Sequence, residues 1–137
     1  MDTIVIGYDA TPAAERALDR GATFAKAFGS KLIVSSVAPL LTPGPKGVGG
    51  PDPADPPELH QAQLEHARER LVEQGLEAEY VNGFGDPAKK IAALADERGA
   101  DLIIVGTREL SFVQRMLGGS VSSSTAHRAH RDVLIVH

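Results

Sequence analysis

The order of segments in this chain predicts an α/β fold, a five-stranded parallel sheet with helices on both faces, doubly wound. Three observations lead there. Short apolar, β-branched runs recur along the chain, of the kind that form strands covered on both faces. Between them lie helical periodicities opened by cap residues and closed by glycine. The resulting order, β-α-β-α-β-α-β-loop-α-β, is made into a parallel sheet by right-handed crossovers.

Residues 3–8 (TIVIGY) form the first strand. Thr11 can cap a helix whose first position is Pro12, where a missing N–H costs nothing. Ala14, Ala17, Leu18, Gly21, Ala25 and Phe28 then recur at helical spacing, and Gly29 is placed to end the helix. Residues 32–37 (LIVSSV) are a second strand with a polar end. A helix starting at Glu58 carries Leu64, Ala67 and Leu71 on one stripe and stops at Gly75. Residues 78–81 form a third strand, 83–85 a turn, and Asp86-Pro87 a cap and first turn for a helix with Ile91, Leu94 and Ala95, ending at Gly99. Residues 102–105 (LIIV) are the fourth strand; a glycine-containing loop follows, a helix is expected over 120–130, and 133–136 (VLIV) closes the sheet.

A chain of 137 residues provides material for one domain, 1–137. Within it, residues 38–57 hold seven of the nine prolines and four glycines, a composition suited to a flexible excursion. A flap over the sheet edge and an insertion without a role both fit that segment. With 42% hydrophobic and 23% charged residues, and no apolar run near the roughly 18 residues of a membrane helix, no membrane association is expected. Asp2 and an immediate strand differ from an export signal. The absence of cysteine excludes a disulfide framework and a thiol nucleophile and suits a reducing compartment, so a cytoplasmic location is expected. A net charge of −4 and few aromatic residues argue against nucleic acid as a partner.

In a doubly wound sheet the ligand sits beyond the carboxyl ends of the strands, where strand order reverses. After the fourth strand, Gly106 and the pair Gly118-Gly119 bracket a loop containing Arg108 and Arg115, and Ser120 opens a hydroxyl-rich helix. Glycines allow close backbone approach, and free N–H groups at a helix start suit a phosphate. The same residues also fit a glycine turn with Ser120 as a plain N-cap. His127 and His130 lie one turn apart near Ser122, Ser123, Ser124 and Thr125. Neither a third metal ligand nor an oriented base accompanies them, so they are expected to be solvated, and the protein non-catalytic. His60 and His66, six apart, cannot share a helix face. Gly83-Phe84-Gly85-Asp86-Pro87-Ala88 formally fits a dinucleotide fingerprint but is better explained as a turn and helix cap. A phosphorylated receiver domain would need further acidic residues, whereas Asn82 stands where its phosphoacceptor would be.

Gly7-Tyr8-Asp9-Ala10-Thr11, Gly85-Asp86-Pro87, residues 101–106, Gly106 with Gly119-Ser120, and residues 133–136 stand in an order that resembles, from end to end, the universal stress proteins. Gly7-Tyr8-Asp9-Ala10-Thr11 matches the opening G-x-D-(G/A)-(S/T). Gly106 and Gly119-Ser120 match the outer parts of the signature G-x2-G-x9-G-(S/T) at its interval; Gly85-Asp86-Pro87, residues 101–106 (DLIIVG) and 133–136 match the remaining family elements. Two departures stand out: Glu109 replaces the signature's second glycine, and Asp132 replaces a proline common before the last strand.

The resemblance implies an adenine-nucleotide alpha-hydrolase-like fold and an adenine nucleotide as ligand: ATP, AMP or cyclic AMP. It places Asp9 and Ala10 near the adenosine and the Val37 backbone against adenine. Gly106, Thr107, Arg108, Glu109, Gly119, Ser120, Val121 and Ser122 would surround ribose and phosphates. It also implies a homodimer joined through the fifth strand, working as a stress or signalling module. The alternatives are a nucleotide-free dimeric interaction protein and a slow ATP hydrolase.

Overall fold

The computed structural model describes residues 1–38, 57–107 and 131–137. Their element order is β1 (Thr3–Gly7), α1 (Pro12–Phe28), β2 (Lys31–Ala38), α2 (Pro57–Glu73), β3 (Ala78–Phe84), α3 (Pro87–Arg98), β4 (Leu102–Gly106) and β5 (Asp132–Val136). The strands form one parallel sheet in the order β3-β2-β1-β4-β5. Chain order therefore runs outward from β1 to β3 and then returns to the other side of β1, which puts the reversal between β1 and β4.

Strand pleating distributes the core between the faces. Ile4, Ile6, Leu32, Val34, Leu102 and Ile104 point to one face, where α1 contributes Ala14, Ala17, Leu18 and Ala22, and α2 contributes Leu64, Ala67 and Leu71. Val5, Ile33, Ile103 and Val105 point to the other, packed by Ile91, Ala92, Leu94 and Ala95 of α3. Both α1 and α3 start as their residues predict, with Thr11 and Asp86 as caps and proline in the first turn; Gly29 and Gly99 end them in the left-handed region. The helix expected over 120–130 and most of the proline-rich segment lie outside the described residues.

Two local expectations change. β3 does not stop at Val81: its parallel ladder with β2 continues through Ser36↔Asn82 and Val37↔Gly83 to Ala38↔Phe84, so Gly83 is a strand residue. Phe28, counted in the buried stripe of α1, is 60% exposed and lies against Phe24 with ring centroids 6.3 Å apart. It ends the helix, and Ala22 takes a place in the core instead.

At the amino ends of the strands, the Asp101 carboxylate accepts from the Thr3 N–H at 3.1 Å and the Asp2 N–H at 2.8 Å. Those backbone donors hold it below the usual carboxylate range and anchor the start of β1 to the start of β4.

Candidate functional site

Five of the residues singled out in the sequence lie at the carboxyl ends of β1, β2 and β4, about the reversal between β1 and β4 where a doubly wound sheet holds its ligand. Asp9 and Ala10 follow β1, Val37 is near the end of β2, Gly106 ends β4 and Thr107 follows it. β1 and β2 pair up to Gly7↔Ser35, and the Tyr8 N–H continues the ladder to the Ser35 carbonyl at 2.9 Å. Val37 therefore stands level with Asp9 on the neighbouring strand. Arg108, Glu109, Gly119, Ser120, Val121 and Ser122 lie outside the described residues.

The segment after β1 is closely bonded. Asp9 Oδ1 accepts from the Thr11 N–H at 3.1 Å and from the Thr11 hydroxyl at 2.6 Å, while Thr11 Oγ1 accepts from the Ala14 N–H at 3.2 Å. Between them Ala10 has φ +61°, a left-handed conformation that a Cβ disfavours. Tyr8 is 3% exposed, and its hydroxyl donates to Glu15 Oε1 in the first turns of α1. Burial, followed by the bond to Glu15, pushes the phenol well above its ordinary range, so it remains a donor. From α2, His66 Nε2 approaches Glu15 at 3.1 Å and Arg70 Nε at 3.4 Å, and Arg70 forms a two-pronged pair with Asp19 at 2.9 and 2.7 Å.

Gly106 acquires a specific reason. A Cβ there would lie 2.8 Å from the Ala13 carbonyl carbon and Cβ and 2.9 Å from the Ala14 nitrogen. The first turn of α1 thus packs directly on the end of β4, so packing alone demands glycine at this position. Gly7 is also confined, since a Cβ would meet Ile91 and Val105 side chains at 3.0 and 3.1 Å. These two contacts bring α1 against the end of β4 and α3 against the end of β1.

A buried polar pair next to Val37 escapes the sequence argument. Ser36 and His60 are 1% and 4% exposed, and Ser36 Oγ is hydrogen-bonded to His60 Nδ1 and lies 3.5 Å from Gln63 Oε1. The signal was present: His60 precedes Leu64 by four residues and continues the stripe of Leu64, Ala67 and Leu71. His60 and His66 have separate partners, Ser36 and Glu15. Gly85, with φ +118°, and Asp86, whose carboxylate accepts from the Ala88 N–H at 3.0 Å, form the turn and cap expected before α3. Among the described residues, no group of three or more His, Asp or Glu side chains is arranged to hold a metal ion.

Comparison with known proteins agrees with this architecture. The universal stress protein family model matches residues 1–137. A universal stress protein of Mycobacterium tuberculosis is 34% identical over 145 aligned residues, covering 98% of this chain and 95% of that protein. The YxiE universal stress protein of Bacillus subtilis is 41% identical over 73 residues, which span 53% of this chain and 49% of that protein. Among solved structures, a universal stress protein in complex with cAMP superposes with a TM-score of 0.68 at 30% identity, covering 99% of this chain and 97% of that one. A doubly wound sheet with its reversal at β1 and β4, the glycine-bearing strand ends and a family match over every residue lead to one conclusion: the chain belongs to the universal stress protein family.

Proposed function

We propose that this protein is a non-catalytic, dimeric adenine-nucleotide-binding module that serves stress or signalling in the cytoplasm. The observation that carries the reading is the full-length likeness to a universal stress protein solved with cAMP, together with the family motifs at the strand ends about the reversal of strand order. In this reading Asp9 and Ala10 lie beside the adenosine, and the backbone at Val37 meets the adenine edge. The loop from Gly106 through Thr107, Arg108 and Glu109, with Gly119, Ser120, Val121 and Ser122, surrounds ribose and phosphates.

Glu109 bears on the choice of nucleotide. A carboxylate replaces a glycine in the phosphate loop, and like unit charges at about 4 Å cost ~1 kcal/mol in water and ~4 kcal/mol at an effective dielectric near 20. A triphosphate brings more charge than a monophosphate, so repulsion falls hardest on ATP; Arg108 and Arg115 offset part of it. Cyclic AMP or AMP is expected to bind more tightly than ATP, and Glu109→Gly to raise ATP affinity at least about fivefold more than AMP affinity. Mass spectrometry of the supernatant from denatured protein identifies any co-purified nucleotide, and calorimetric titration with the three ligands measures the order. An unmodified protein that binds ATP tightest, with no change on substitution, defeats the charge argument. No binding of any of the three, and none co-purified, defeats the nucleotide reading in favour of the nucleotide-free interaction protein.

The dimer proposal is supported by β5 at the sheet edge, paired only with β4 among the described strands. Its outer side presents a row of backbone donors and acceptors, and Val133, Leu134 and Ile135 are only partly buried. Light scattering at micromolar concentration should give twice the chain mass of 14.4 kDa. A monomer there excludes it.

A further inference from the structure

Ala10 is the one non-glycine residue with positive φ among those described, and its conformation must be imposed by its surroundings. An alanine disfavours the left-handed basin by roughly tenfold. Thr11, next along, is the cap that starts α1, and Asp9, just before, is wrapped back onto Thr11 through both its N–H and its hydroxyl. Those bonds are local and would loosen together with the turn.

Besides the packing of the first turn of α1 on Gly106, a nonlocal restraint is the bond across the turn. Tyr8 is set in the core on the α1 and α2 face, and its hydroxyl is tied to Glu15, one turn into α1. The pair closes residues 9–14 into a loop anchored at both ends. Glu15 is in turn bracketed by His66 and Arg70 of α2, and Arg70 is fastened to Asp19. The turn is therefore referred to two helices and a strand.

We infer that Tyr8 is a positioning residue for the nucleotide site, its hydroxyl bonded to Glu15 so that the Asp9–Ala10–Thr11 turn stays in the left-handed form that the ligand meets. For ligand affinity the inference rests on the functional reading above; for the turn itself it does not. A site competent for only a fraction of the time loses affinity by that fraction. Releasing the turn to the ordinary preference of alanine therefore weakens binding about tenfold.

The test is Tyr8→Phe, which keeps the ring and removes only the hydroxyl. Amide hydrogen exchange by NMR, without ligand, should accelerate about tenfold at Thr11 and Ala14, whose N–H groups are held by Asp9 and Thr11, and remain unchanged at Ile4, Val5 and Ile6. Cyclic AMP affinity, measured by calorimetry, should fall about tenfold in parallel. Adding Ala10→Gly to Tyr8→Phe should recover most of that affinity, because glycine occupies the left-handed basin without penalty. A side chain that only contributes to core stability would not be rescued at position 10. Unchanged exchange at Thr11 and Ala14 in Tyr8→Phe overturns the inference, and so does a loss of affinity that Ala10→Gly fails to restore. Accelerated exchange in a protein that binds none of cyclic AMP, AMP and ATP upholds the brace and refutes the nucleotide reading.

Discussion

Gly106→Val is expected to destabilise the protein by about 3 kcal/mol or more and to lower its melting temperature by roughly 10 °C. The distances explain the size of the effect. At Gly106 the atoms a new side chain would strike belong to the backbone of Ala13 and Ala14, at 2.8 and 2.9 Å. At Gly21, where the nearest atom is closer still, that atom is the Cδ1 terminus of Ile6 at 2.4 Å, which can rotate aside. Backbone in the first turn of a capped helix has no such freedom. To admit valine, α1 must lift from the end of β4, and the Thr11 cap, Ala14 and Ala17 are displaced with it. Since the same turn borders the proposed site, any stabilisation of the protein by added nucleotide should be lost as well. Scanning calorimetry with and without cyclic AMP decides the matter: a variant melting within ~2 °C of the parent would mean that α1 does not rest on Gly106.

The second large effect lies in the Ser36–His60 pair. Both residues are almost wholly buried, so removing one partner leaves a polar atom of the other short of a bond, at about 1–3 kcal/mol. His60→Leu keeps the volume and withdraws the ring nitrogen; its cost should be about 2–3 kcal/mol, and that of Ser36→Ala about 1–2 kcal/mol. The double variant removes donor and acceptor together, and is expected to be more stable than the sum of the two losses by about 1 kcal/mol or more. Urea denaturation of the four proteins gives the coupling directly. Strict additivity would show that the two side chains do not depend on one another. The pair also pins the first turn of α2 to β2 one residue before Val37, so the single variants should loosen that end of the sheet first.

The proposed site was readable from the sequence to different depths. Gly7, Asp9, Gly106 and the cap at Thr11 were visible because strand-turn-helix junctions have local chemistry: an apolar run, a short acidic side chain, a hydroxyl, then proline. Ala10 was visible as a member of a motif, yet nothing nearby revealed its left-handed conformation. Tyr8–Glu15 was hidden because Tyr8 follows a strand, Glu15 belongs to a helix and a turn lies between them, so no single period relates the two. For Ser36–His60, 24 residues apart, the stripe of α2 signalled that His60 is buried, but nothing along the chain signalled that Ser36 is its partner.

By itself, the sequence determined the alternation of strands and helices among the described elements, the caps of α1 and α3, the apolar stripes of α1, α2 and α3, and the family. All of these depend on interactions within one element or one junction, where side-chain periodicity and backbone preference act over a few residues. Tertiary structure alone decided that β3 runs on to Phe84, because a strand's length is set by its neighbour's ladder. It decided that Phe28 faces water while His60 does not, because burial depends on what lies opposite. It also decided that Gly106 answers to the backbone of Ala13 and Ala14, some 90 residues earlier in the chain. Contacts between such distant segments exist only once the sheet has assembled, and no window along the chain contains both partners.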